Sequence, residues 1–236
     1  MAIFSEIMSA MNQANYGATP ESLTAFKTPG YDFGFAGKSG PGRTYAVNKQ
    51  LHATDIVEFK IGHQNGQTPA DGMWTRSIGT TIAVRTADCL PVLFSDSKSS
   101  MVMAVHAGWK GLCAGILTRA VEVFAEQGIP ATELRAAVGP AISRECYEVG
   151  PEVISAFLGS PINLAESVAA LCVAKGKGDR WFLDLQTAAL ANLLIKGLAP
   201  RQISLLQICT RSDETYFSYR REGKNVGSNI SWIALT

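Results

Sequence analysis

The chain has 236 residues, 47% of them hydrophobic and 17% charged, with a formal net charge of +1. That length supports one large hydrophobic core or two small fused ones, and so balanced a charge leaves no electrostatic footprint for nucleic acid or an anionic membrane surface. No apolar run reaches the roughly 18 residues of a membrane-spanning helix, so the expected partners are small molecules, neutral or modestly charged.

Residues 1–17 have no basic region ahead of their apolar residues, which Ser5, Glu6, Asn12 and Gln13 interrupt, so no signal peptide is expected. Residues 5–11 suit a short helix or lead-in, and 19–23 a turn or helix start. From 28 to 46 the chain is punctuated by Pro29, Gly30, Gly34, Gly37, Gly40, Pro41 and Gly42, which predicts loops around one aromatic strand at 31–35. His52 follows, and then a polar loop at 60–70, where His63 reads as an exposed loop residue rather than a ligand.

The most informative stretch runs from Thr81 to Gly111. Residues 82–84, 90–94 and 101–105 are short, apolar and rich in β-branched side chains, the pattern of strands covered on both faces. Asp88 and Cys89 interrupt this pattern and His106 ends it. Polar groups buried there need partners or serve a site, because an unpaired one costs about 2 kcal/mol or more. Gly108 and Gly111, lacking Cβ, let the backbone after His106 come close to another group. Taken singly, Cys89 is a packing residue and His106 a hydrogen-bonded one. With His52 they become two imidazoles and a thiol, a first shell for zinc or copper with one position left open.

Beyond this stretch, apolar spacing predicts a helix over 115–127, closed by Gly128 and Pro130, then a strand at Leu134–Val138. Pro151 opens a helix at Pro151–Leu158. Residues 160–180 are less patterned and end in a charged turn at 175–180. A short strand at Trp181–Leu183 precedes Asp184, an N-cap for a helix reaching about Lys196. Strands at 203–209 and 230–235 close the chain. The alternation predicts an α/β fold of α+β-like character, a single domain with layered mixed β-sheets flanked by helices over 1–236. Five cysteines, at 89, 113, 146, 172 and 209, are odd in number and lack knuckle spacing, so a reducing cytoplasm is the expected setting. Arg220 and Arg221, flanked by aromatics, suit either an anion clamp beside a stacking surface or an ion-paired structural turn.

The segments Gln50-Leu51-His52-Ala53-Thr54-Asp55, Thr86-Ala87-Asp88-Cys89-Leu90-Pro91-Val92, His106-Ala107-Gly108-Trp109-Lys110-Gly111, Val138-Gly139-Pro140-Ala141-Ile142 with Cys146-Tyr147-Glu148-Val149-Gly150, and Phe217-Ser218-Tyr219-Arg220-Arg221-Glu222-Gly223 resemble the successive motifs of the multicopper polyphenol oxidase (laccase-domain) family. That family is also described as purine nucleoside phosphorylases. The resemblance covers roughly residues 45–235 in the family's order and leaves 1–45 as a variable N-terminal section. It implies that His52, Cys89 and His106 bind one metal and form the catalytic centre, and that 71–75 hold an Asp-Gly turn before the next strand. It places Lys38, in a contracted glycine segment, where family members carry an arginine facing the substrate. Lys110, Arg220 and Arg221 join Lys38 as the expected substrate-binding cations. Ser228 stands where the family commonly has arginine, one positive charge fewer.

Three chemistries follow, in order of preference. In the first, zinc at His52, Cys89 and His106 supports phosphorolysis of a purine nucleoside, with phosphate as co-substrate, or its deamination. In the second, copper at the same ligands oxidises phenols. In the third, Cys89 with a histidine is the nucleophile of a hydrolase. A non-enzymatic metal-binding protein is the remaining class.

Overall fold

A computed structural model describes residues 26–60, 62–160 and 166–236, together with residues 5, 7–9, 16–17 and 23. Residues 5 and 7–9 are helical, in line with the short helix expected at 5–11, and residue 23 lies in a 3-10 turn; the rest of 5–11 and 19–23 lies outside the described residues. In chain order the strands are β1 (Tyr16–Gly17), β2 (Tyr31–Ala36), β3 (Ile56–Glu58), β4 (Gly72–Thr75), β5 (Thr81–Thr86), β6 (Leu90–Asp96), β7 (Val102–Ala107), β8 (Leu134–Val138), β9 (Glu148–Val149), β10 (Val173–Lys175), β11 (Trp181–Leu183), β12 (Ile203–Leu206) and β13 (Asn229–Leu235). The helices are α1 (Trp109–Ala114), α2 (Ile116–Glu126), α3 (Pro151–Leu158), α4 (Glu166–Cys172), α5 (Leu185–Ile195) and α6 (Tyr219–Glu222).

A seven-stranded mixed sheet in the order β1-β12-β8-β6-β7-β4-β3 forms the middle layer. Its residues alternate between two cores. Leu90, Val92 and Phe94 of β6, with Met103 and Val105 of β7, pack with the apolar sides of α1, α2 and α5. Leu93, Val102 and Ala104 face the other way, onto Ile82, Val84 and Ile233 of the three-stranded antiparallel sheet β2-β13-β5. Covering on both faces is why β6 and β7 read as unbroken apolar runs, and each fully buried Leu, Val or Phe there contributes about 1.5–3 kcal/mol.

The helix expected over 115–127 is α2, and a further short helix, α1, precedes it unannounced by the sequence. Gly115, at φ 92°, ends α1 and starts α2, a left-handed junction that glycine adopts at little cost. The pair carries the chain from β7 across to β8, both antiparallel to β6 on its two sides. Asp184 caps α5 as expected, accepting from the Thr187 amide at 2.9 Å and its hydroxyl at 2.8 Å.

Elsewhere the expectations need correction. Residues 72–75 form β4 rather than a turn, because Gly72 through Thr75 pair antiparallel with β7 and are wholly buried. Only Asp71 remains as the turn. Residues 160–180 contain α4 and β10, a three-residue strand too short to show a period, which pairs antiparallel with the expected strand β11. β12 stops at Leu206, where the chain turns outward before Cys209. No helix among the described residues is long and apolar enough to cross a membrane.

Candidate metal centre and active site

His52, Cys89 and His106 come from three separate places and meet at one end of the middle sheet. His106 lies on β7 and Cys89 immediately before β6, one rung beyond the Leu90–Ala107 pair. His52 lies in the loop before β3. One ligand atom from each lies within 4.8 Å of the others, with Cys89 Sγ 3.8 Å from His52 Nε2 and the two imidazole centroids 4.8 Å apart. Sulfur and nitrogen ligands on a tetrahedral zinc stand about 3.6 Å apart, from bonds of about 2.3 and 2.05 Å. The three residues therefore fit a metal ion.

Asp71, which lies outside the predicted site, holds this arrangement together. Its carboxylate is fully buried; Oδ1 accepts from the His52 amide at 2.9 Å and from His106 Nδ1 at 2.7 Å, and Oδ2 accepts from the Leu51 and Ala53 amides at 3.0 and 2.8 Å. The Asp71 carbonyl also accepts the His106 amide at 2.7 Å. With its Nδ1 proton committed to a carboxylate, His106 is left with Nε2 as the ligand atom. His52 has φ 62° and Asp88 φ 86°, left-handed conformations rare outside glycine, and such strain concentrates at functional sites. A Cβ on Gly108 would stand 2.7 Å from His52 Cδ2 and 3.3 Å from Cys89 Sγ, so the close approach expected at that glycine is toward two of the three metal-competent residues.

The charges are coupled. Burial pushes the Cys89 thiol up, but hydrogen bonds and charge from His106 and His52 outweigh it and bring it from 9.0 down to about 7. Burial acts on His106 in the opposite sense to its partners, and Asp71 and Cys89 together raise it from 6.5 to about 9. At pH 8 the metal-free thiol is therefore mostly ionised and His106 still protonated. Zinc uptake at that pH is expected to release about one proton per metal, and affinity to rise about tenfold per pH unit between about 7 and 9. Calorimetry in buffers of different ionisation enthalpy counts the protons; release of none would show that His106 is not a ligand.

A cavity of about 500 Å³ opens onto the three residues, lined also by Trp109, Tyr147, Tyr219 and Arg220. A larger cavity of about 630 Å³ lies against β2, lined by residues such as Lys27, Tyr31 and Phe33, but none of its lining belongs to the metal-competent group. Of the four expected substrate-binding cations, only Arg220 lines the site. Its Nη1 donates to the Glu148 carbonyl at 2.9 Å, and its amide donates to Asp88 Oδ2 at 2.6 Å. Arg221 donates instead to the carbonyls of Thr210 and Arg211 at 2.9 and 2.7 Å and pairs with Glu222 at 2.6 Å. Lys38 pairs with Glu222 at 3.3 Å, and Lys110 lies over the Trp109 ring at 5.6 Å. His63 sits apart, its Nε2 3.2 Å from the Val47 carbonyl.

The sequence family described as multi-copper polyphenol oxidoreductase laccase matches residues 36–236. A Shigella flexneri protein named purine nucleoside phosphorylase YfiH is 38% identical over 188 residues, covering 79% of this chain and 72% of that one. Adenosine deaminase RL5, from an unknown prokaryotic organism, is 35% identical over 192 residues, 81% of this chain and 70% of its own length. The crystal structure of Bacillus licheniformis hypothetical protein YfiH aligns with a TM-score of 0.76 at 29% identity, covering 81% of this chain and 74% of that one. With sequence, fold and the three convergent side chains in agreement, this chain belongs to the multi-copper polyphenol oxidoreductase laccase family.

Proposed function

We propose that the chain is a metal-dependent enzyme of purine nucleosides, converting adenosine and inosine with phosphate to free base and ribose 1-phosphate, and methylthioadenosine to adenine and 5-methylthioribose 1-phosphate, and deaminating adenosine. The observation that carries this is the His52, Cys89 and His106 group, open to a cavity and oriented by Asp71. The names of the Shigella phosphorylase and the RL5 deaminase support the substrate class. Two imidazoles and a thiolate suit zinc with one position free, and a zinc bound there supplies Lewis acidity toward a water or substrate oxygen.

The chain's own residues supply the rest. Trp109, Tyr147 and Tyr219 offer aromatic surface to a purine. Burial, with the nearby Cys89 charge, raises the Tyr147 hydroxyl above its ordinary 10.0, so it keeps its proton at neutral pH and donates to a ligand. Arg220 presents the remaining donors of its guanidinium to phosphate, whose oxygen bonds to the ribose carbon as the glycosidic bond breaks and the base leaves with a proton. Lys38 and Arg221 are left out of this role because their charges are engaged outside the cavity lining, and Lys110 because it is not itself a lining residue. Cys89, Cys113, Cys146 and Cys209 are free thiols, which fits the cytoplasmic setting proposed for the reaction.

Copper-dependent phenol oxidation is the second reading, favoured by the soft donor set. Among the described residues there is one such group, whereas four-electron reduction of oxygen draws on several coppers. The deciding experiment measures metal in protein purified without added metal, beside nucleoside turnover with and without phosphate. Base release is expected only with phosphate, and Arg220→Gln is expected to raise the KM for phosphate about ten- to a hundredfold while changing deamination less. Inactivity toward every nucleoside, with copper-dependent oxidation of a phenol, would reverse the order of the two readings.

A further inference from the structure

We infer that Arg85 and Thr86, at the end of β5, form a phosphoryl-binding subsite of this cavity, an assignment that rests on the phosphorolysis reading above. Arg85 lines the cavity and is exposed, and its guanidinium makes no hydrogen bond or ion pair among the described residues. Its backbone, by contrast, is fixed from both sides. The Gln50 side chain accepts the Arg85 amide at 2.8 Å and donates to its carbonyl at 2.7 Å, and Ile230 of β13 lies opposite. A free guanidinium on an anchored backbone is a charge held ready for a ligand.

Thr86 lines the same cavity and is 4% exposed, yet its Oγ1 has no hydrogen-bond partner among the described residues. Buried hydroxyls are normally satisfied, and one that is not, at the wall of a binding cavity, calls for a ligand atom. The nearby carboxylates do not answer either group. Asp88 is occupied by the Thr210 hydroxyl at 2.7 Å and the Arg220 amide at 2.6 Å, and Asp71 by His106 and three backbone amides. Arg85 and Arg220 thus bring two positive charges to one cavity with no carboxylate aimed at either. A guanidinium fork with a hydroxyl donor matches a tetrahedral oxyanion. Orthophosphate and the phosphate ester of a nucleotide share that chemistry.

The test is calorimetric titration of the metal-loaded protein with orthophosphate and, separately, with adenosine 5′-monophosphate. The proteins compared are wild type, Arg85→Gln, Thr86→Val and, as a charge control, Arg201→Gln, an exposed position outside the cavity lining. Arg85→Gln and Thr86→Val are each expected to weaken binding about ten- to a hundredfold, and the control by less than about twofold. Because the Thr86 hydroxyl has no partner among the described residues, Thr86→Val is expected to leave the melting temperature unchanged or raised, a split between affinity and stability that a structural role would not produce. Loss toward orthophosphate assigns the subsite to the free co-substrate; loss confined to the nucleotide assigns it to the ester. Binding of both probes within twofold of wild type in either variant overturns the subsite. If base release by the wild-type protein still depends on phosphate in that case, the subsite alone falls; if the wild-type protein binds neither probe, the phosphorolysis reading falls with it.

Discussion

Cys89→Ala is expected to abolish metal binding and nucleoside turnover together while the fold survives. Of the three ligands only the cysteine brings a negative charge, and the thiolate is the species that ligates. Loss of an outer partner of a metal ligand typically weakens affinity about 10–100-fold, so loss of the thiolate itself should exceed about 100-fold. The backbone around it is held independently. Leu90 and Pro91 pair with Ala107 and His106, the Asp88 carbonyl accepts the Ile142 amide at 3.0 Å, and the Asp88 carboxylate is fixed by Thr210 and Arg220. Truncating a half-buried thiol beside these contacts should cost about 1 kcal/mol of stability, a shift of a few degrees in melting temperature. Elemental analysis, turnover and a thermal melt on one preparation decide the matter. Retention of metal with loss of turnover would move Cys89 to the nucleophile role of a thiol hydrolase, and retention of both would leave it a packing residue.

The parts of the fold legible in the sequence are those where one physical rule acts alone. β6 and β7 announce themselves because both faces are buried, and the two metal-competent residues that interrupt and end those runs are visible against that apolar background. Asp184 signals its helix because an N-cap is a local contact between residues three apart. β3 and β4 were hidden by their length: three and four residues cannot display a period, and β4 owes its strand geometry to pairing with β7, some thirty positions on. α1 was hidden because six residues are too few to show a helical period, and its separation from α2 depends on a single left-handed glycine. Asp71 was missed for a different reason. A lone aspartate before a glycine has the appearance of an ordinary turn residue, and its four acceptor contacts arise from residues eighteen or more positions away. The same holds for Arg85 and Arg221, alike in kind but opposite in role: one guanidinium has no partner among the described residues and the other is spent on loop carbonyls, a difference set entirely by tertiary structure.

Asp71→Asn is expected to damage both the metal site and the fold, because that one carboxylate accepts from a metal ligand and from the loop carrying another. An amide offers one acceptor oxygen and two donors. If its NH₂ faces the Leu51 and Ala53 amides, donors oppose donors and the loop holding His52 loses its anchor. If it faces His106, the Nδ1 proton loses its acceptor; moving that proton to Nε2 relieves the clash but removes the lone pair the metal needs. Either way a buried charge-assisted network is broken, at a cost of about 3–5 kcal/mol, and metal affinity falls about 10–100-fold. Burial by itself would raise the Asp71 carboxyl, but the hydrogen bond with His106 and those from Ala53 and Leu51 hold it below 3.8. A carboxyl depressed on folding contributes stability that is fully present above its unfolded value and is lost as pH falls through the folded one. The gap in unfolding free energy between wild type and Asp71→Asn should therefore be widest at neutral pH and should narrow once the pH drops below about 4. Urea unfolding of both proteins across that range measures the gap, and zinc titration at pH 7 measures the affinity. Equal stability at neutral pH, or unchanged zinc affinity in a folded Asp71→Asn protein, would mean that His106 and the His52 loop are positioned by the sheet and by Gly108 without help from the carboxylate.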